Sequence, residues 1–350
     1  MGAAWSKFQS TRTCDLQCSK PSPDIDAGAA LAGIGTFWLF FLTVIFALVI
    51  SLINVGRQYI DSHRLKHNRL NDRLKRQLDD EYNRSNIITE AVLINFSDQQ
   101  LIAGLAMAGT LRWSYSCDMT AYHYDLACYM LLASITTHLT SLLAIDKYFY
   151  PVEKSTGATL SNIGLLVLRC FGIACSIVLT GLVLFNRNQN TFPVEQSAGS
   201  QLLQPAACFF VGADAEEAVE GIDDSIKGLM AKNWSHGLVQ YVLFLGCIIT
   251  TLPLAIAHSF ERGLSHKLRH PKFLILPRLI VIFAAIAIMA WTLALAWNLR
   301  SWMLDQTEFG LGKENEWNFG QILSLSLLIL SPITAFDAAA GKYKSNRDVA

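Results

Sequence analysis

Apolar residues in this chain gather in long runs, without the alternation of strands or the narrow apolar stripe of helices in soluble proteins. Seven runs stand out, at 31–53, 94–111, 126–145, 160–185, 238–257, 273–297 and 319–339. A bilayer core about 30 Å thick needs roughly 20 mostly apolar residues in a helix, so each run qualifies or nearly does. The second is short and polar at its start, and the seventh carries Ser324, Ser326, Ser331 and Pro332. The pattern predicts an all-α polytopic membrane helical bundle with seven transmembrane helices over residues 31–341. A segment 1–30 precedes it and a tail 342–350 follows.

Composition agrees: of 350 residues, 52% are hydrophobic and 16% charged, and the mean hydropathy is +0.33. That is too apolar for a soluble chain of this length. With 28 basic and 28 acidic residues, no bulk charge draws nucleic acid, and none is expected as a partner. Placement matters more than the sum, because cytoplasmic loops retain Lys and Arg. The 55–93 connection holds Arg57, Arg64, Lys66, Arg69, Arg73, Lys75, Arg76 and Arg84. Lys147 and Lys154, then Arg262, Lys267, Arg269 and Lys272, then Lys342, Lys344 and Arg347 fall on the same side if there are seven spans. The loop 187–236 on the other side is acidic, with Glu195, Asp214, Glu216, Glu217, Glu220, Asp223 and Asp224. This predicts an outer or lumenal N-terminus and a cytosolic C-terminus, the first run acting as a signal anchor that stays. The start, Met1-Gly2 with Ser6, fits the myristoylation pattern by spacing, but that modification conflicts with this topology.

Two further signals agree with the orientation. Asn233-Trp234-Ser235 is a glycosylation sequon in the outer loop, whereas the sequons at Asn83 and Asn95 fall inside or in the membrane and should stay bare. Cys14, Cys18, Cys117 and Cys208 all land on the outer side, an even set that predicts two disulfides with three connectivities. A bond between the N-terminal segment and Cys117 is favoured among them. Cys128, Cys170, Cys175 and Cys247 lie in the runs and read as small apolar residues. In the basic connection, Ile60, Leu65, Leu70, Leu74 and Leu78 recur at roughly helical spacing. The stretch is either a solvated extension of the first span or an amphipathic helix for anionic lipid or a cytosolic partner.

The chemistry concentrates in Asn95-Phe96-Ser97-Asp98-Gln99-Gln100, at the mouth of the second run. Counted at about 1.5 Å per residue, Asp98, His138 and Arg169 fall in one layer roughly 6–14 Å from the cytosolic face. A charge near the centre of a membrane helix costs about 2.5–3.5 kcal/mol on insertion scales and is usually paired. The expected arrangement is an Asp98–Arg169 ion pair with His138, Gln99 and Gln100 completing the hydrogen bonding. It serves either as a polar clasp between helices or as a pocket, proton relay or switch. Pro253, Pro277 and Pro332 mark kinks, and Trp113, Trp234, Trp291, Trp297 and Trp302 an outer aromatic belt. No phosphate-binding loop, His-Glu-x-x-His or paired Cys-x-x-Cys is present, so no cofactor and no metal is expected.

The opening Cys18-Ser19-Lys20-Pro21-Ser22-Pro23-Asp24-Ile25 resembles the Cys-x-x-Asn-Pro-Asp-Ile opening of a large family of filamentous-fungal integral membrane proteins. Ser97-Asp98-Gln99-Gln100, Tyr122-His123 and the Thr137-His138-Leu139-Thr140-Ser141-Leu142 run match further motifs of that family over residues 14–150. Ser22 stands where the family often has Asn. The resemblance implies a fungal seven-helix protein, some of whose relatives accompany genes for secondary metabolites, with no established reaction. Two functions remain in view. One is a receptor-like or sensor-like bundle, although Asp146-Lys147-Tyr148 ends the third run where a G-protein-coupled switch would carry Arg. The other is a membrane-embedded enzyme or accessory factor in lipid or terpenoid biosynthesis, with Asp98 and His138 as acid and base. Both involve membrane lipids and a hydrophobic small-molecule ligand, in a plasma membrane or endomembrane.

Overall fold

The computed structural model describes residues 33–67, 72–114, 119–145, 159–187, 236–264 and 272–305, together with 202, 203, 206, 322, 326 and 333. Six helices order these residues: α1 Ile34–His67, α2 Asp72–Gly109, α3 Ala121–Ala144, α4 Thr159–Arg187, α5 His236–Leu264 and α6 Lys272–Asp305. A π-helical turn, Thr110–Ser114, closes α2. Five stretches are long and apolar enough to cross a membrane, namely Ile34–Ile60, Ala121–Ala144, Val167–Phe185, Val239–Ala257 and Leu274–Met303. The run at 94–111 is not among them, because Ser97 to Gln100 dilute its apolar character. Of the seventh run only Ile322, Ser326 and Ile333 are described, all helical, with Ser326 Oγ donating to the Ile322 carbonyl at 2.8 Å.

The basic connection is helical on both sides of residues 68–71. Residues 72–93 contain no Gly or Pro and are rich in Leu, Arg, Lys, Gln and Glu, so α2 forms well before its apolar part. Asp98 therefore sits deep inside a continuous helix and not at a helix mouth. At 34 and 38 residues, α1 and α2 are about 51 and 57 Å long and outrun a bilayer core.

Contacts between named pairs fix the helix directions. α2 runs antiparallel to α3, with Ser97 meeting His138 and Gln100 meeting Ser134, and parallel to α4, with Asp98 meeting Arg169 and Leu101 meeting Gly172. α4 and α5 are antiparallel through Arg187–Gln240 and Gly181–Phe244. α1 and α6 are antiparallel through Gln58–Arg278 and Phe37–Trp297. α1 reaches the end of α3 at Asn54 and packs along it, so these two run in the same direction.

α3 is the axis of the bundle. All 24 of its residues are buried, and it packs against each of the other five helices. Its threonine hydroxyls are answered within the helix: Thr136, Thr137 and Thr140 donate to the carbonyls of Leu132, Ala133 and Thr136. Back-bonding of this kind lets polar residues sit in a dry interior. Thr120 caps the start, its hydroxyl accepting from the His123 N–H. At the far end the free carbonyls take donors from other helices, Asn54 Nδ2 on Ala144 at 2.9 Å and Arg278 on Leu143. A guanidinium there also suits the negative end of the helix dipole.

The outer faces are apolar where lipid would lie. Val167, Leu168, Phe171 and Val178 on α4, Ile249 on α5 and Ile280 and Phe283 on α6 are each more than half exposed. α5 and α6 pass through Pro253 and Pro277 without ending. Near the start of α1, Phe37, Trp38 and Trp297 cluster under Arg300, whose guanidinium lies 5.9 Å from the Phe37 ring centroid. One part of the long α4–α5 connection returns to the bundle. Leu202, Leu203 and Ala206 are buried in the core, and the Ala206 N–H donates to the Met119 carbonyl at 2.7 Å, just ahead of α3.

Candidate functional site

Two polar clusters flank α3. Nearer its Ala144 end, Arg169 Nη2 donates to Asp98 Oδ2 at 2.6 Å, joining α4 to α2. The side chains are 18% and 33% exposed, and the exposed Leu168, Phe171 and Ile102 lie beside them. The pair is therefore a seam at the bundle's flank. His138 Nδ1 lies 2.6 Å from Ser97 Oγ, both buried, linking α3 to α2 one position before Asp98. One turn further along α2, Ser134 Oγ donates to the Gln100 backbone carbonyl at 2.6 Å.

The sequence expectation placed Gln99 and Gln100 around the ion pair. Gln99 is half-buried. Gln100 instead points its amide into the interior, where it is fully buried and neither Oε1 nor Nε2 has a hydrogen-bond partner among the described residues. The reason is register: residues 97 and 100 face α3, whereas Asp98, displaced by about 100° around the helix, faces α4. Gly104 lies on the α3 face as well. A Cβ there would run into Ser134 Oγ, so the glycine is what lets α2 approach α3.

The second cluster was not anticipated. Arg187, at the end of α4, is completely buried and donates through Nε to Asp125 Oδ1 and through Nη1 to Gln240 Oε1. Its guanidinium carbon also lies 4.5 Å from the centroid of the Tyr129 ring. Tyr124, one residue before Asp125, donates its hydroxyl to the Val183 carbonyl at 3.1 Å. Helices α3, α4 and α5 are thus tied at the Ala121 end by a charge pair with an amide completing the fork. Burial by itself lowers the pKa of Arg187, but the Asp125 carboxylate, with Tyr129 and Cys128 behind it, more than reverses this and raises it. The guanidinium stays charged.

Cys14, Cys18, Cys117, Cys208 and Asn233 lie outside the described residues, as do Trp234 and Pro332. Cys128, Cys170, Cys175 and Cys247 are free thiols, Cys170 facing outward. Among the described residues no group of three His, Cys, Asp or Glu could hold a metal.

The fold defines a class: the described residues are almost all helical and include five helices long and apolar enough to span a bilayer, as in a multi-pass membrane protein. No family model, curated protein or solved structure matches it.

Proposed function

We propose that the protein is a receptor-like or sensor-like membrane bundle of seven spans, with its N-terminus outside or lumenal and its C-terminus cytosolic. One observation carries this reading. Among the described residues α3 has no outward face, touches each of the other five helices, and is bonded toward its two ends to different helices, to α2 through Ser97–His138 and to α4 through Asp125–Arg187. Asp125 and His138 are 13 positions apart, about 20 Å along the helix. A movement of α4 or α5 at Arg187 or Gln240 acts on the same rigid rod that carries His138, so the rod couples the two faces. Biosynthetic acid–base chemistry by Asp98 and His138 has less support, because Asp98 is engaged by Arg169 and His138 by Ser97. The likeness to filamentous-fungal membrane proteins fits either reading.

Hydrogen exchange on the protein in lipid nanodiscs tests the coupling. Gln240→Leu should alter exchange across residues 95–101 at the far end of α3 as well as around Gln240. A change confined to the Gln240 neighbourhood would sink the sensor reading.

The orientation has a separate test in the returning loop segment. The Ala206 N–H donates to the Met119 carbonyl, and in sequence Cys117 lies two residues before Met119 and Cys208 two residues after Ala206. We therefore favour a Cys117–Cys208 disulfide over one from the N-terminal segment to Cys117. Peptide mapping without reductant should recover these two cysteines in one linked species. Free thiols at both positions in protein from its native membrane would remove the bond and its support for an oxidising outer face.

A further inference from the structure

Three helices bring polar residues together at helical spacing: Ser51, Asn54 and Gln58 on α1, Ser97 and Gln100 on α2, and Ser134, His138 and Ser141 on α3. Their facing is set by the bonds Asn54 to Ala144, Ser97 to His138 and Ser134 to the Gln100 carbonyl. Since α1 and α3 run in the same direction, Ser51 and Ser141 come to a common level, each one turn before Asn54 and Ala144. Along this seam five side-chain atoms have no hydrogen-bond partner among the described residues: Ser51 Oγ, Asn54 Oδ1, Gln100 Oε1 and Nε2, and Ser141 Oγ. Ser51, Gln100 and Ser141 are 0% exposed and Asn54 1%.

A buried polar atom left unanswered costs more than immobilising a water molecule that answers it. One such atom is ordinary, but five between the levels of Ser134 and Ala144, about 15 Å along α3, with donors and acceptors both represented, call for partners that the helices do not supply. We propose that α1, α2 and α3 enclose ordered water, held by Ser51, Asn54, Gln100 and Ser141 and reaching the Ser97–His138 hydrogen bond. The ligand class is water alone: the unpartnered groups are hydroxyls and amides, without the carboxylate that a cation site at this depth would need. Each water would need between two and four polar partners, which this set supplies. The inference does not depend on the sensor reading.

Pulsed hydroxyl-radical footprinting of the wild-type protein in nanodiscs tests it, because radicals generated from bound water label the side chains beside that water. His138, 1% exposed, should be modified severalfold more than Met289 on α6, 4% exposed and carrying a more reactive sulfur. Modification of His138 no greater than that of Met289 overturns the proposal. Gln100→Met combined with Ser141→Ala should then bring His138 labelling down to the Met289 level. Unchanged labelling in that variant overturns the assignment of the water to these residues, and a higher melting temperature without any wild-type labelling identifies a dry seam.

Discussion

Arg187→Met is expected to be the most damaging single substitution in the bundle, lowering stability by about 3–5 kcal/mol, the range for removing one partner of a buried ion pair. It strands the Asp125 carboxylate, which is fully buried, and leaves the Gln240 amide oxygen without its donor. The stacking of the guanidinium on Tyr129 is lost as well. Adding Asp125→Asn removes the stranded charge, so the double variant should regain much of the loss even though it lacks both hydrogen bonds that Arg187 makes in the wild type. The comparison is made by thermal unfolding in detergent, following tryptophan fluorescence. A double variant as unstable as Arg187→Met alone would mean that packing of the Arg187 stem, and not charge pairing, holds α3, α4 and α5 together. The Asp98–Arg169 pair is partly exposed and should matter less, since solvent or lipid headgroups can reach either partner.

Gly104→Val should be the second most damaging change. The glycine lies where α2 crosses α3, and a Cβ placed on it would meet Ser134 Oγ, with Ser134 Cβ 3.1 Å away. Rotating the hydroxyl aside relieves only the first clash and breaks its bond to the Gln100 carbonyl. Overpacking of this kind costs about 1–3 kcal/mol, and the branched side chain belongs at the upper end. Gly104→Ala should be milder, and Ser134→Gly in that background should restore part of the loss by clearing both atoms. If Gly104→Val melts with the wild type, the close approach of α2 and α3 is not what the glycine serves. Gly172 is a weaker case of the same kind, since its nearest neighbour is the flexible end of Leu101 at 3.0 Å.

The two charge pairs differ in how legible they were, for a physical reason. Asp98 and Arg169 stand inside apolar runs, where a charge is anomalous, and counting along two helices places them at a similar depth. Asp125 and Arg187 stand just outside the runs at 126–145 and 160–185. A charge at such a margin reads as an ordinary interfacial residue, yet both are buried because α3 starts before its apolar run and α4 ends after its own. Gln240 could have drawn notice as a polar residue early in an apolar run, but nothing in its own sequence neighbourhood names Arg187 as its partner. The polar half of α2 was legible as helix from the spacing of Leu70, Leu74 and Leu78, but not as one helix with the second run, because hydropathy detects what dissolves in lipid whereas residues 72–93 hold helix-forming polar side chains. Gln100 and Asp98, only two positions apart, were expected to cooperate, and helical rotation sends them to different neighbours.

The complete burial of α3 sets the order in which the protein can assemble. It has the lowest hydropathy of the five candidate spans, 1.5 against 2.0 or more for the others, and it carries Asp125, His123 and His138 among its buried residues. Three of its five neighbours, α4, α5 and α6, are synthesised after it. When α3 leaves the ribosome, only α1 and α2 exist to cover it, and Asp125 has neither Arg187 nor Gln240. The cover that α3 has in the finished bundle is therefore complete only once α6 has emerged and Arg278 can close over its last carbonyls.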